Sequence, residues 1–223
     1  MSKVNLRFKD LEWVKLAETS TILILGIGGI GSWVSLLLSR IGCNLYLFDD
    51  DTVDQTNLSG QHFKSNDINS NKVDIAIRDA KEYSLNSNVE AFGKYDNDSI
   101  TNSIVISCFD NMTSRKIAFD KWKVLPERVL FIDGRMLAES FQIFTVQKGM
   151  EKVYEEYLFN DDEIPDLACS SKATSHCGAM IGAKIVSIFT NFIYNQTLNS
   201  DLRFIPFKLY YDIELMHEHV ESN

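Results

Sequence analysis

Thr21-Ile-Leu-Ile-Leu-Gly26-Ile-Gly28-Gly29-Ile-Gly31 opens on an apolar run and closes on a cluster of glycines. An unbroken apolar run that stops at glycine is the pattern of a parallel strand buried on both faces. Gly29 to Ile41 then reads as a helix and Asn44-Leu-Tyr-Leu-Phe48 as a second strand, ending in Asp49, Asp50 and Asp51, so the segment is a βαβ unit. Thr19 to Ser39 carries no charge and has the length of a membrane span. The glycines in its middle suit a strand, a tight turn and a helix start better than one lipid-facing helix.

Working outward, Asn71 to Leu85 has helical spacing, with Val73, Ile77 and Ala80 on one side and Lys72, Asp74, Arg78 and Lys81 toward water. Val89–Phe92, Ile104–Ile106 and Val129–Ile132 read as short strands, with a helix across Thr113–Val124. Beyond Gly134 the βα alternation ends. Ser140–Val146 and Lys152–Phe159 read as antiparallel strands, Asn160–Ser175 as a loop, Cys177–Tyr194 as an apolar helix and Arg203–Leu215 as a terminal strand, with a frayed tail from Glu218. The expected fold is α/β: one domain over residues 1–223, a Rossmann-like, doubly wound, mostly parallel sheet with an antiparallel C-terminal extension, and a crossover loop at 160–175.

Composition narrows the function. Of 223 residues, 22 are Lys or Arg and 31 Asp or Glu, a net charge of −9, which argues against nucleic-acid phosphates or an anionic membrane as partner. Cys43, Cys108, Cys169 and Cys177 contain no C-x-x-C pair, so neither a zinc ribbon nor a thioredoxin-type redox pair is expected. The N-terminus shows no secretory pattern, and a reducing cytoplasm is the expected compartment.

Gly26, Gly28 and Gly31 fit G-x-G-x-x-G between a strand and a helix, where missing side chains let backbone N–H groups and the helix dipole approach phosphates. Asp49 stands eighteen residues beyond Gly31, at the next strand end, where a carboxylate accepts bonds from ribose hydroxyls. The pair points to an adenine nucleotide, and a nicotinamide-dependent dehydrogenase explains it equally well. Locally, Asp110-Asn111 could cap the following helix, Lys72 could be a solvated helix charge and Asn57 a loop stabiliser.

Three further stretches separate the readings: D-D-D-T-V-D-Q-T-N-L-S-G-Q from Asp49 to Gln61, N-S-N-K-V around Lys72, and S-C-F-D-N-M-T-S-R from Ser107 to Arg115. In this order, after the glycine loop, they resemble the ThiF/MoeB/HesA family of ubiquitin-activating-enzyme-like adenylyltransferases, over roughly residues 20 to 195. The resemblance implies that ATP, with Mg2+, adenylates a carboxylate, commonly the C-terminal glycine of a ubiquitin-like protein or peptide. By it, Gly26, Gly28, Gly29 and Gly31 would hold the nucleotide, Asp49 its ribose, Asn57 and Lys72 its phosphates, and Asp110 the magnesium. The chemistry agrees, because a substrate carboxylate is already ionised at neutral pH and needs no general base. It needs cations that offset its repulsion from the triphosphate.

The sequence departs from the family at Gly60, where an arginine usually precedes the glutamine of N-L-x-R-Q. Arg115, Arg135, or Arg7 reaching across a homodimer could supply the missing cation. Cys169 resembles the acyl-accepting cysteine of some members. Cys177 is its rival, because a helix N-terminus can lower a thiol pKa, with His176 beside it; Cys43 and Cys108 read as core residues. Two alternatives stay open: an NAD-dependent oxidoreductase, and a nucleotide-binding partner subunit that is catalytically silent alone.

Overall fold

The computed structural model describes residues 10–84, 87–161, 174–197 and 201–222. Helix α1 (Glu12–Thr19) leads into β1 (Thr21–Leu25), α2 (Gly31–Ile41), β2 (Asn44–Phe48), α3 (Lys72–Tyr83) and β3 (Val89–Phe92). Then come β4 (Ile104–Ser107), α4 (Met112–Lys123), β5 (Leu130–Leu137), β6 (Ser140–Gln147), α5 (Glu151–Glu155), α6 (Ser175–Thr197), β7 (Lys208–Asp212) and β8 (His217–Glu221). The strands form one sheet in the order β3-β2-β1-β4-β5-β6-β7-β8. β1 to β5 run parallel, and β6, β7 and β8 are added antiparallel. The fold is the mostly parallel sheet with an antiparallel C-terminal extension that the sequence predicts.

Strand geometry sends alternate side chains to opposite faces, and β1 feeds both layers. Ile22 and Ile24 enter a core with Val34 and Leu38 of α2 and Ile181, Ile185 and Phe189 of α6. Leu23 and Leu25 enter the other, with Phe119 and Trp122 of α4, Phe131, Phe144 and Tyr154. Each such side chain, fully buried, contributes about 1.5–3 kcal/mol of transfer free energy. α6 is long and apolar enough by composition to cross a membrane. Its apolar residues are accounted for by the sheet and by α1 and α2, against which it packs.

Two glycines of α6 set how closely it lies to the turn after β1. A Cβ on Gly178 would stand 2.5 Å from the Gly29 carbonyl oxygen, and one on Gly182 2.8 Å from Trp33 Cβ.

Two expectations fail. Lys152–Phe159 is not a strand: α5 follows a turn at Gly149 (φ +102°) and places Tyr154 against Phe119, Phe131 and Phe144, with ring centroids 4.6, 5.8 and 5.7 Å away. Aromatic packing, a long-range effect, outweighs the local β propensity of that segment. The terminal strand is also a hairpin rather than one strand, and the tail from Glu218 that was expected to fray belongs to β8, paired with β7. Its turn carries Met216 at φ +50° and is held by the Leu215 N–H bonded to Asp212 Oδ1, with no glycine to announce it. No element is predicted before Thr21, where α1 stands, and of the 160–175 loop only Asn160, Asp161, Thr174 and Ser175 are among the described residues.

Candidate functional site

The sheet order reverses between β1 and β4, and at such a switch point the loops leaving the two strands diverge and open a crevice. A cleft of about 760 Å³ lies there, at the carboxyl ends of β1, β2 and β4. The glycines of its floor act differently. Gly26 takes φ +86°, donates its N–H to Phe48 O at 2.8 Å, and lies where a Cβ would be 3.0 Å from Cys108 O. A Cβ on Gly31 would sit on the Gly26 carbonyl oxygen, so neither position accepts a side chain without moving main chain. Gly28 is open, with only Gln61 Nε2 nearby at 3.9 Å. Gly28 and Gly29 line the cleft, and their N–H groups meet no acceptor among the described residues. α2 follows with no side-chain cap on its N-terminus. Unpaired donors at an uncapped helix start attract an anion.

Two more helices start at the cleft wall: α3, at Lys72, has no side-chain cap, whereas the start of α4 is filled. Asn111 caps α4 by accepting the Ser114 N–H at 2.8 Å. Asp161 accepts the N–H groups of Met112 and Thr113, the latter at 3.0 Å, and the Thr113 hydroxyl at 2.6 Å. The first three amides of α4 are thereby occupied. The arrangement also resolves the local ambiguity at Asp110-Asn111, because Asn111 and Asp161 do the capping. Asp110 lines the cleft, exposed, and its one recorded hydrogen bond comes from Asn111 Nδ2 at 3.2 Å.

Asp49 ends β2 and braces the turn, accepting the Ile27 N–H at 2.6 Å and the Asp51 N–H at 2.9 Å. Burial pushes its pKa up, and those two donors only partly pull it back. Each carboxylate oxygen keeps a free lone pair for a hydroxyl donor. Asn57 sits in a 3-10 turn, Gln55–Ser59, where its Oδ1 accepts the Asp54 N–H at 3.0 Å while Asp54 Oδ1 accepts from Thr56 and Asn57. Loop bracing uses only Oδ1 of Asn57 and leaves its Nδ2 as a donor on the cleft wall. Lys72 opens α3, is buried, and pairs with Asp51 at 2.7 Å. The structure thus brings Gly26, Gly28, Gly29, Asp49, Asn57, Lys72 and Asp110 to one cleft, with Gly31 beneath it.

It places the two described arginine candidates elsewhere. Arg115 is buried and bonds Asp133 Oδ1 at 2.5 Å; Arg135 bonds Asp133 Oδ2 at 2.6 Å and Tyr157 O at 2.9 Å. Burial alone would raise the pKa of Asp133, but the two guanidiniums outweigh it and hold the carboxyl below its usual range. Neither arginine lines the cleft, so neither supplies a phosphate-binding cation there. Cys177 is corrected too: it is fully buried in α6, and burial pushes its thiol up to about 11, the opposite of activation by a helix start. His176 lies 3.7 Å from Glu139 and is exposed. Arg7 and Cys169 lie outside the described residues.

A family model described as the ThiF family matches residues 3–219. The chain belongs to the ThiF family. Curated relatives include ubiquitin-like modifier-activating enzyme 5 from Drosophila willistoni, 29% identical over 126 residues, covering 48% of this chain and 30% of that protein. The same-named protein from Culex quinquefasciatus is 32% identical over 123 residues, covering 47% and 31%. This chain therefore aligns with about a third of the length of those relatives. Among solved structures, E. coli MccB with ATP superposes with a TM-score of 0.71 at 15% identity, and PaaA with 0.71 at 18%, each covering 94% of this chain and 66% of the other. At those identities the likeness is one of fold.

Compared with the ThiF pattern, the cleft has Gly60 where an arginine is usual, and among the described residues no arginine lines it. A cation that the sequence analysis does not single out is present: Lys94, just past β3, lines the cleft and forms no ion pair among the described residues. Phe48, Tyr95 and Phe109 add an aromatic wall, with ring centroids 5.1 Å (Phe48–Tyr95) and 6.1 Å (Tyr95–Phe109) apart. The signal for these was positional, since both Lys94-Tyr95 and Phe109 follow the carboxyl end of a strand. Gln61 also lines the cleft, and its Oε1 is buried without a partner.

The charge balance has a consequence for any polyphosphate. Asp49, Asp50, Asp51 and Asp110 face Lys72 and Lys94, so a triphosphate entering this cleft has to bring positive charge with it. Among the described residues no group of three or more His, Cys, Asp or Glu side chains is placed to hold a metal. That suits Mg2+, which binds through one or two carboxylates plus phosphates and water rather than in an all-protein cage. Asp110, unspent on capping, fits as such a carboxylate.

Proposed function

We propose that this ThiF-family chain is an ATP- and Mg2+-dependent adenylyltransferase that activates the C-terminal carboxylate of a ubiquitin-like protein or peptide. The observation that carries the reading is that Gly28 and Gly29 offer unpaired N–H groups on the cleft floor, while α4 is capped by Asn111 and Asp161 so that Asp110 stays available. Asp49 accepts from the ribose, the aromatic wall receives the base, and Asn57, Lys72 and Lys94 donate to phosphate oxygens. Bound Mg2+ neutralises charge on the triphosphate. The substrate carboxylate oxygen attacks the α-phosphorus, forming the acyl-adenylate as the bond to pyrophosphate breaks. A homodimer in which Arg7 reaches the partner's cleft, capture of the acyl group on Cys169, and a reducing cytoplasm belong to the same reading. The relatives support it: they include activating enzymes for ubiquitin-like modifiers, and MccB solved with ATP or with MccA.

The test is ATP–pyrophosphate exchange with glycine-terminated proteins or peptides. Asp110→Ala is expected to abolish exchange while leaving the circular dichroism spectrum intact; retained Mg2+-dependent exchange removes Asp110 from its role. Selective binding of NAD that ATP does not displace would favour the dehydrogenase reading instead.

A second reading rests on the absence of arginine among the described residues of the cleft lining: a nucleotide-binding subunit that is silent alone. Gly60→Arg separates the two. Its backbone, at φ −124°, accepts a side chain, and a charge-assisted bond contributes about 1.5–3 kcal/mol, so exchange in an active chain is expected to rise about tenfold or more. A chain silenced by the missing cation instead binds ATP with no exchange as the wild type and acquires exchange only with this substitution.

A further inference from the structure

Arg115 does not line the cleft, yet its guanidinium lies behind the wall and holds both neighbours of Asp110. Nη2 donates to Phe109 O at 2.5 Å and to Gly134 O at 3.3 Å, and Nη1 to Asn111 O at 3.4 Å. Phe109 and Asn111 flank Asp110, so one rigid, planar group pins the main chain on either side of the carboxylate. The guanidinium is itself fixed by Asp133, which Arg135 and the Tyr154 hydroxyl (2.8 Å) hold from the other side.

We propose that Arg115 is a positioning residue, which sets where the Asp110 carboxylate stands and so how tightly the cleft takes up Mg2+ with a nucleotide. The inference rests on the reading of Asp110 as a metal ligand. A group that orients a ligand from behind typically changes metal affinity 10- to 100-fold when removed. Lysine at 115 keeps a positive charge for Asp133 but cannot reach two carbonyls and a carboxylate from one planar fork. Arg135→Lys is the matched control, because it disturbs the same buried acid and touches neither Phe109 nor Asn111.

The experiment is calorimetric titration of ATP into the wild type, R115K and R135K over a Mg2+ series, with adenosine as a Mg2+-independent probe. For R115K the Mg2+ concentration giving half-maximal ATP binding is expected to rise about tenfold or more, with adenosine affinity unchanged. For R135K the midpoint stays at the wild-type value, although its melting temperature falls. Equal midpoints in all three proteins, or equal shifts in both variants, overturn the positioning role. If R115K does not fold, Arg115→Gln replaces it, since Asp133 then still has Arg135 as its counter-charge. A wild type whose ATP binding is indifferent to Mg2+ instead overturns the reading of Asp110, a result separable from an unshifted variant.

Discussion

Asp49 does two jobs with one carboxylate: it braces the glycine turn through the Ile27 and Asp51 N–H groups and faces the cleft. Acceptance from a ribose is strongest in the ionised form, whose two oxygens both accept. Because burial raises its pKa, protonation begins at a higher pH than for an ordinary aspartate. Nucleotide affinity should therefore weaken on mild acidification, and Asp49→Asn should lose about tenfold or more at pH 7 while flattening that dependence, measured by nucleotide titration at several pH values. Cys177 gives a second test. With its thiol at about 11 and its side chain buried, it should resist iodoacetamide at pH 7.5 in the folded protein and react on unfolding, followed by intact mass. Gly26, Gly28 and Asp49 were readable because they sit at fixed offsets from strand ends; Asn57, Lys72 and Asp110 were reached only through the family resemblance, and Lys94, Tyr95 and Phe109, also at strand ends, belong to no motif that marks them. Arg115 and Arg135 were misread because a sequence shows a cation and not its partner: Asp133, which claims both, lies on a different element from Arg115.

Helices and strands of the parallel half were legible because their apolar periods are long and their ends are marked, as at Gly42, whose φ of +100° ends α2 with its N–H on Leu38 and Ser39 carbonyls. α5 and β8 were not, since Tyr154 is drawn in by aromatic rings from three other elements and the β7–β8 turn uses Met216 in a conformation usually left to glycine. The capping of α4 was half visible. Asn111 stands next to its helix, whereas Asp161 arrives from 48 residues beyond Thr113. Asp161→Ala should leave the fold intact and speed hydrogen exchange at the Met112 and Thr113 amides, with slower change elsewhere. Gly178→Ala tests the contact of α6 with the glycine turn. A methyl 2.5 Å from Gly29 O forces the helix outward, at a cost of about 1–3 kcal/mol, read as a lowered melting temperature.

Across the molecule, pH dependence of stability follows from acids held below their usual range. Asp133 between two guanidiniums and Asp67 beside Arg78 both have depressed values. Their contribution is present above the unfolded-state pKa, near 4, and is lost as pH falls through the lower folded values. Asp49 has the opposite sign, regaining stability as it protonates, but it is one group against these two and against Asp54, Asp96, Glu151 and Asp161, which are also lowered. The melting temperature should ease as pH falls through about 6.5, because burial lowers the pKa of His62 and the unfolded chain takes that proton first, and should fall steeply below about pH 4, with a shallower acid limb in Asp67→Asn.

The crossing of main chain at Gly26 and Gly31 sets a boundary on how chains of this architecture can diverge. At residue 60 a lineage can swap arginine for glycine and alter only what the cavity grips. At residue 31 the first carbon of any side chain collides with a carbonyl oxygen, so the platform stays frozen while the chemistry mounted on it is free to drift.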